Sequence, residues 1–312
     1  MHARVIRRSC ALAIGGLDPG GGAGLAADLR AFVAADVLGC AAIAVITIQS
    51  THGLRSARAL DSREVIAQAR EVTRHQSVRA FKTGALGSTE NVRAVGRFFA
   101  RHEHIPAVVD PVMIATRGRA RLLDPAALDA LRRVLVPRAV LVTPNVPEAE
   151  ALVGARIRNL DAAARAAHSI CAMGARATLV KGGHLEGRDA VDVLAIDGQT
   201  HLFRMRRIPS LTLHGGGCVL ASLIAGRLAS ERTARTDSPG YAGPSAQSLL
   251  DAVRWAKEVH RAALSRAWNV DQTKPSTDPA PSRTISGGTL VKSMTVLGTI
   301  PPAPDSMTKP RP

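Results

Sequence analysis

The sequence predicts an α/β fold in three layers, with a central, mainly parallel sheet between helices. Three observations carry this expectation. Short apolar runs alternate with segments of helical periodicity along most of the chain. One of these runs, Cys40–Ile48, is continuously apolar, as strands covered on both faces are. Nearly every run ends in glycine, carboxylate, amide or lysine residues, at the edge where open parallel sheets bind their ligands.

Taken in order, Ala11–Gly16 reads as a short buried strand and Asp18–Gly22 as a glycine-rich turn. Ala23–Ala35 follows with Leu25, Leu29, Phe32 and Val33 on one side of a helix. Cys40–Ile48 is a strand, Ser62–Arg74 a helix, Val78–Thr83 a strand and Asn91–Ala100 a helix. Ala107–Val109 is a strand that stops at Asp110-Pro111. Asp124–Val134 reads as a helix, with Asp124 as cap and Pro125 in its first turn. Ala139–Thr143 is a strand, Leu160–Met173 a helix, and Ala177–Val180 a strand ending at Lys181-Gly182-Gly183. Val191–Ile196 and His201–Met205 form a hairpin around Asp197-Gly198. Gly217–Ala229 and Ala246–Trp268 are the last helices. The simplest organisation is one domain over residues 1–268. Residues 231–245 read as a loop, and 269–312 as a Pro/Ser/Thr-rich tail expected to be disordered.

Composition limits the function classes. The chain has 312 residues, 46% of them hydrophobic but only 3% aromatic, so the core is built from Ala, Val, Leu and Ile. The net charge of +16 comes from 41 Lys+Arg against 25 Asp+Glu, scattered singly and without interleaved aromatics, so no nucleic-acid partner is expected. The 4 cysteines lack CxxC spacing and suit a reducing cytoplasm. No apolar stretch is long enough to span a membrane. His102-Glu103-His104 lies in a Pro-bounded loop with no further ligand converging on it.

The chemistry gathers at the strand ends. Gly15–Gly24 is glycine-rich and is followed by Asp28; such a loop lets backbone N–H groups approach a ligand. Gln49 opens a polar cluster, Gln49–Gly53, and its amide carries both donor and acceptor for the edge of a heterocycle. Asp110 and Glu148 are carboxylates of the kind that hold Mg²⁺, and the Asn145-x-x-Glu148 spacing puts an amide and a carboxylate on one helical turn. Lys181 suits phosphate charge. His214-Gly215-Gly216-Gly217-Cys218 leads straight into a helix, and such an N-terminus favours anions. Cys218 in its first turn is expected to have a lowered thiol pKa.

The order of these residues, Asp18-Pro19 with its glycines, Asp28, Gln49, Lys82-x-Gly84, Asp110-Pro111-Val112-Met113, Thr143-Pro144-Asn145-x-Pro147-Glu148, Lys181-Gly182-Gly183-His184 and His214-Gly215-x-Gly217-Cys218, resembles the hydroxymethylpyrimidine/phosphomethylpyrimidine kinases of thiamine biosynthesis, within the ribokinase-like superfamily. The resemblance runs from about Ala11 to Ala267. It implies ATP and Mg²⁺ as cofactors, two successive phosphorylations of 4-amino-5-hydroxymethyl-2-methylpyrimidine, and a homodimer. It also implies roles: Gln49, Asp28, Gly16, Ala23 and Val112 at the pyrimidine; Lys181, Asn145 and Glu148 at ATP; Asp110 and Glu148 at the metal; Gly215, Gly216 and Gly217 as the anion hole with Cys218 as base. The sequence departs from the family at Leu17, Thr83, Ala85, Thr116-Arg117 and Gly216, the last standing where a threonine is usual. A pyridoxal-type kinase on the same fold, and a pyrimidine sensor without catalysis, are the competing readings.

Overall fold

The computed structural model describes residues 9–50, 53–114, 121–207, 213–231, 243–266, 268–269 and 295–296. Its centre is a 9-stranded sheet. The parallel part comprises β1 (Cys10–Leu17), β2 (Leu38–Ser50), β4 (Val78–Thr83), β5 (Ala107–Val109), β6 (Leu141–Val142) and β7 (Ala177–Val180). Antiparallel strands complete both edges: β3 (Gly53–Ala59) beside β2, and the hairpin β8 (Asp189–Ile196) with β9 (Gln199–Arg206) beside β7. The spatial order is β3-β2-β1-β4-β5-β6-β7-β8-β9.

Alternation along the strands builds two separate cores. Ala11 and Ala13 of β1 face one layer, packed with α1 (Gly24–Ala34), α7 (Gly216–Glu231) and α8 (Ala246–Leu264). Leu12 and Ile14 face the other, packed with α2 (Ser62–His75), α3 (Thr89–Ala100), α4 (Ala127–Ala130), α5 (Val146–Val153) and α6 (Leu160–Ala172). In this second core Phe81 stacks on Phe99 at 4.9 Å and tilts against Phe98 at 5.5 Å. Helix starts are fixed by side chains that accept the first free N–H groups: Asp61 from Arg63, Ser88 from Asn91 and Asn159 from Ala162.

The three-layer architecture is as the sequence predicts, and the differences have local causes. Residues 53–59 were not expected to form a strand: Arg55, Ser56 and Arg58 give them no apolar alternation, and β3 forms through its antiparallel ladder to β2. The helix expected over Asp124–Val134 is instead α4, a π turn over Leu131–Leu135 and a 3₁₀ turn over Val136–Arg138, although Asp124 does accept the Ala126 N–H. Nothing in the apolar pattern marks that change of pitch, since Leu131 and Leu135 are buried in either form. The final helix stops at Leu264 rather than Trp268. Trp268–Asn269 instead forms β11, pairing with Thr295–Val296 (β12), which also pairs with β10 (Leu213–His214). These residues of the tail are thus ordered onto the domain, beside the loop that opens α7; the rest of the tail, like Thr51, His52, Thr116 and Arg117, lies outside the described residues. No helix among the described residues is long and apolar enough to cross a membrane.

Candidate active site

The C-terminal ends of β1, β2, β4, β5 and β7 open into one cavity, closed from above by the first turn of α7. Gly16, Ala23, Asp28, Gln49, Asp110, Val112, Asn145, Glu148, Lys181, Gly215, Gly217 and Cys218 all line it. Of the candidate residues named from the sequence, Gly216 alone is not in its wall. The His102–His104 segment is elsewhere, with His102 on the Phe98 carbonyl and Glu103 paired to Arg138.

The floor is an ion pair. Lys82 is fully buried on β4, and its ammonium donates to both oxygens of Asp28, each at 2.8 Å. Ser222 of α7 donates to the same carboxylate at 2.8 Å. Burial works against the Lys82 charge, but Asp28, with Cys218 and Asp110, more than offsets it and lifts the lysine above its usual range. Asp28 therefore lines the cavity with its oxygens already engaged, tying α1, β4 and α7 together beneath the expected substrate position.

A second cluster lies at the ends of β5, β6 and β7. Asp110 accepts from Lys181 at 2.7 Å and from Thr143 at 3.2 Å through one oxygen, while its other oxygen is buried without a hydrogen-bond partner. Burial opposes its charge, but Lys181 and Lys82 hold the carboxyl below the usual range. Asn145 and Glu148 form a reciprocal capping box at the start of α5: Glu148 N–H donates to Asn145 at 2.9 Å, and Asn145 N–H to the Glu148 carboxylate at 2.8 Å. The Asn-x-x-Glu spacing thus does put both groups on one turn. Burial and the neighbouring Asp110 push Glu148 up to about 7, against the pull of Lys181.

The glycine loop closes the cavity. Gly215 has φ +80°, and a Cβ there would collide with the Gly22 carbonyl of the first glycine-rich turn, so the two loops meet backbone to backbone. The helix begins with Val219 N–H donating to the Gly215 carbonyl, which leaves the N–H groups of the preceding turn for a ligand. Lys181 extends beneath this turn, its ammonium 3.0 Å from where a Gly217 Cβ would stand. Cys218 corrects an expectation. Its thiol is raised to about 12, not lowered. Desolvation outweighs the helix terminus; Asp110 and Asp28 push the same way, and only Lys82 and Lys181 oppose them.

Several contributors had no role in the sequence reading. Asp18 shapes the first loop, accepting from Gly20 at 2.8 Å and Ala23 at 2.9 Å. Thr47 donates to the Leu17 carbonyl at 2.7 Å and joins β2 to that loop. Lys82 was visible only as part of a motif, without a role; a lysine inside an apolar strand is itself a signal, because it demands a buried carboxylate.

With this geometry in place, the comparisons are specific. Residues 18–238 match the family described as Phosphomethylpyrimidine kinase. A hydroxymethylpyrimidine/phosphomethylpyrimidine kinase of Streptomyces coelicolor is 39% identical over 254 residues, covering 81% of this chain and 88% of that protein. Among solved structures, a phosphomethylpyrimidine kinase from Clostridium difficile has a TM-score of 0.67 at 31% identity, covering 82% of this chain and 99% of the other. The ADP complex of a Bacillus subtilis pyridoxal kinase has a TM-score of 0.72 at 28% identity, covering 85% and 94%.

Proposed function

Because this chain belongs to the phosphomethylpyrimidine kinase family, we propose that its cavity transfers the γ-phosphoryl group of ATP to the hydroxymethyl oxygen of 4-amino-5-hydroxymethyl-2-methylpyrimidine, and a second phosphoryl group to the monophosphate, as in thiamine biosynthesis. The observation that carries the reading is the convergence of Lys181, the Asn145–Glu148 turn and the glycine loop of α7 on the cavity that also holds Gln49. In each transfer an O–P bond forms at the γ-phosphorus, its bond to the β-phosphate oxygen breaks, and ADP leaves; the first acceptor, an alcohol, also gives up its O–H proton, whereas the second, a phosphate oxygen of the monophosphate, is already ionised.

The residues divide the work. Gln49 faces the pyrimidine edge, with Gly16, Ala23, Asp28 and Val112 around it. Lys181 and the N–H groups of Gly215–Gly217 meet the negative charge of the transferring group. Cys218 stands at the same helix terminus to receive the acceptor proton. The donor set fits Mg²⁺, which takes oxygen ligands from one or two carboxylates together with substrate phosphates. Asp110 keeps a buried oxygen without a hydrogen-bond partner, and Glu148 and Asn145 lie beside it in the cavity wall. When bound there, the ion neutralises phosphate charge; Asp110 and Glu148 would hold it directly or through water.

Incubating the purified protein with ATP, Mg²⁺ and the pyrimidine, with products followed by mass, is expected to yield monophosphate and then diphosphate. Parallel incubation with pyridoxal addresses the B. subtilis likeness: turnover of pyridoxal alone would overturn the pyrimidine assignment.

The Glu148 shift gives a pH prediction for the metal. Its value in the folded protein, about 7, lies above the ordinary 4.5. Ionising it therefore destabilises the metal-free protein, and stability falls as pH rises from about 4.5 through 7. A divalent cation binds the ionised form better and so stabilises more at high pH. Millimolar Mg²⁺ is expected to raise Tm more at pH 8 than at pH 6, and Glu148→Gln to remove most of that difference. Equal shifts at both pH values in the wild type would exclude Glu148 from the cation site.

A further inference from the structure

Behind the cavity lies a charged cluster that none of the roles above uses. Asp192 on β8 is 5% exposed, and its carboxylate divides between two partners. One oxygen accepts the Gly182 N–H at 2.9 Å, in the turn that carries Lys181 out of β7. The other accepts the Lys257 ammonium at 2.7 Å, from α8. Gly182 is pressed onto β8 so closely that a Cβ would run into the Val191 carbonyl, so the turn depends on this strand for its position. His260 lies one turn beyond Lys257, 8% exposed, its ring in the field of Lys257, Asp192, Lys181 and the Gly216 backbone. Asp192, Lys257 and His260 are not among the residues that line the cavity.

We propose that Asp192 is a positioning residue for phosphoryl transfer: by holding the Gly182 N–H it fixes the direction in which Lys181 leaves the sheet, and so the place of the Lys181 ammonium between Asp110 and the glycine loop. The long lysine stem makes this necessary. Lys181 reaches Asp110 at 2.7 Å, and its ammonium stands 3.0 Å from where a Gly217 Cβ would be, from a turn with no side-chain cap of its own. A small rotation of that turn is magnified at the end of the side chain. The Lys181 N–H is already spent on the Pro144 carbonyl, so the Gly182 N–H is the next anchor along the chain. Lys257 pairs with the same carboxylate at 2.7 Å, which makes the hydrogen bond to Gly182 charge-assisted. His260 is held to about 4 by burial and by Lys257, so it packs the gap to Gly216 as a neutral ring and adds no competing charge.

The proposal rests on the kinase reading, which the wild-type assay tests separately. Three variants are compared: Lys257→Met alone, which leaves the Asp192 carboxylate on the Gly182 N–H without its counter-ion, and two that remove both charges together, Asp192→Leu with Lys257→Met and Asp192→Asn with Lys257→Met. The single variant keeps the Gly182 acceptor and is expected to hold KM for ATP within about twofold of wild type. Removing the acceptor with leucine is expected to raise KM for ATP by about tenfold or more, the effect of losing one buried charge-assisted hydrogen bond at a ligand-positioning site. The pyrimidine KM, measured at saturating ATP, should stay within about twofold. Asparagine restores an acceptor at the same atom and should bring the ATP KM most of the way back, a rescue that a purely stabilising pair would not produce. If the folded leucine double variant matches Lys257→Met in KM for ATP, or loses pyrimidine and ATP affinity alike, the positioning role is wrong.

Discussion

Replacing Cys218 with alanine is expected to lower kcat by about 10²–10⁴-fold, the usual contribution of a positioned general base, with little change in KM for ATP. The expectation survives the high thiol value, but the route to the base changes. In the ligand-free cavity burial holds the thiol at about 12, with Asp110 and Asp28 adding to the rise, so the thiolate is scarce at neutral pH. Lys82 and Lys181 pull the other way. Binding of a cation to Asp110 and Glu148 offsets the carboxylate field, and the proton is then lost more readily from the thiol than in the free enzyme. Two pH profiles separate this from a passive thiol. For wild type, kcat/KM for the pyrimidine should climb with pH through the neutral range, because it reports the free enzyme; kcat should climb less, because it reports the loaded one. In Cys218→Ala both limbs should flatten. A Cys218→Ala enzyme within about threefold of wild-type kcat would remove the thiol from proton transfer and leave the loop N–H groups, Lys181 and the cation as the catalytic elements.

The fold was legible in the sequence because parallel strands are short, apolar and bounded by turn residues. Ala107–Val109 and Ala177–Val180 were placed to the residue for that reason. The pieces that escaped are those whose structure comes from a partner rather than from their own pattern. β3 is exposed and polar and exists by pairing with β2. Thr295–Val296 sits in a tail whose composition reads as disordered, yet it pairs with Leu213–His214. The cavity was legible through residues that follow strands, and Gly16, Gln49, Asp110 and Lys181 do share one wall. Their charges were not. Cys218 follows a helix start, which by itself lowers a thiol, but desolvation, with two carboxylates from distant segments, reverses the sign. Asp192 and Lys257 are 65 residues apart, and no local spacing announces their pairing.

The same distance effect hides the element on which the fold of the site depends most. Lys82→Met is expected to destabilise the protein by about 3–5 kcal/mol, the cost of stranding one member of a buried ion pair. Lys82 is 0% and Asp28 1% exposed, and the lysine meets both oxygens of the carboxylate. Without it, Asp28 keeps only Ser222 as a partner, in a site closed to water. At about 2–4 °C per kcal/mol for a domain of this size, Tm should fall by about 10 °C. Pairing Lys82→Met with Asp28→Leu removes both charges at once and should recover most of that loss, since apolar replacement of a whole buried pair is often neutral or better. The double variant is not expected to recover activity. Lys82 lowers the Cys218 thiol and Asp28 raises it, and the pair anchors Ser222, one turn into α7 from the glycine loop. Stability and catalysis should therefore separate: the single variant loses both, while the double variant regains the fold and stays slow. Denaturation midpoints and kcat measured on the same preparations decide it. A Lys82→Met protein melting within about 2 °C of wild type would mean that Asp28 takes up a proton and is satisfied without the lysine, and a fully active double variant would mean that the pair supports the fold of α1, β4 and α7 but not the chemistry above them.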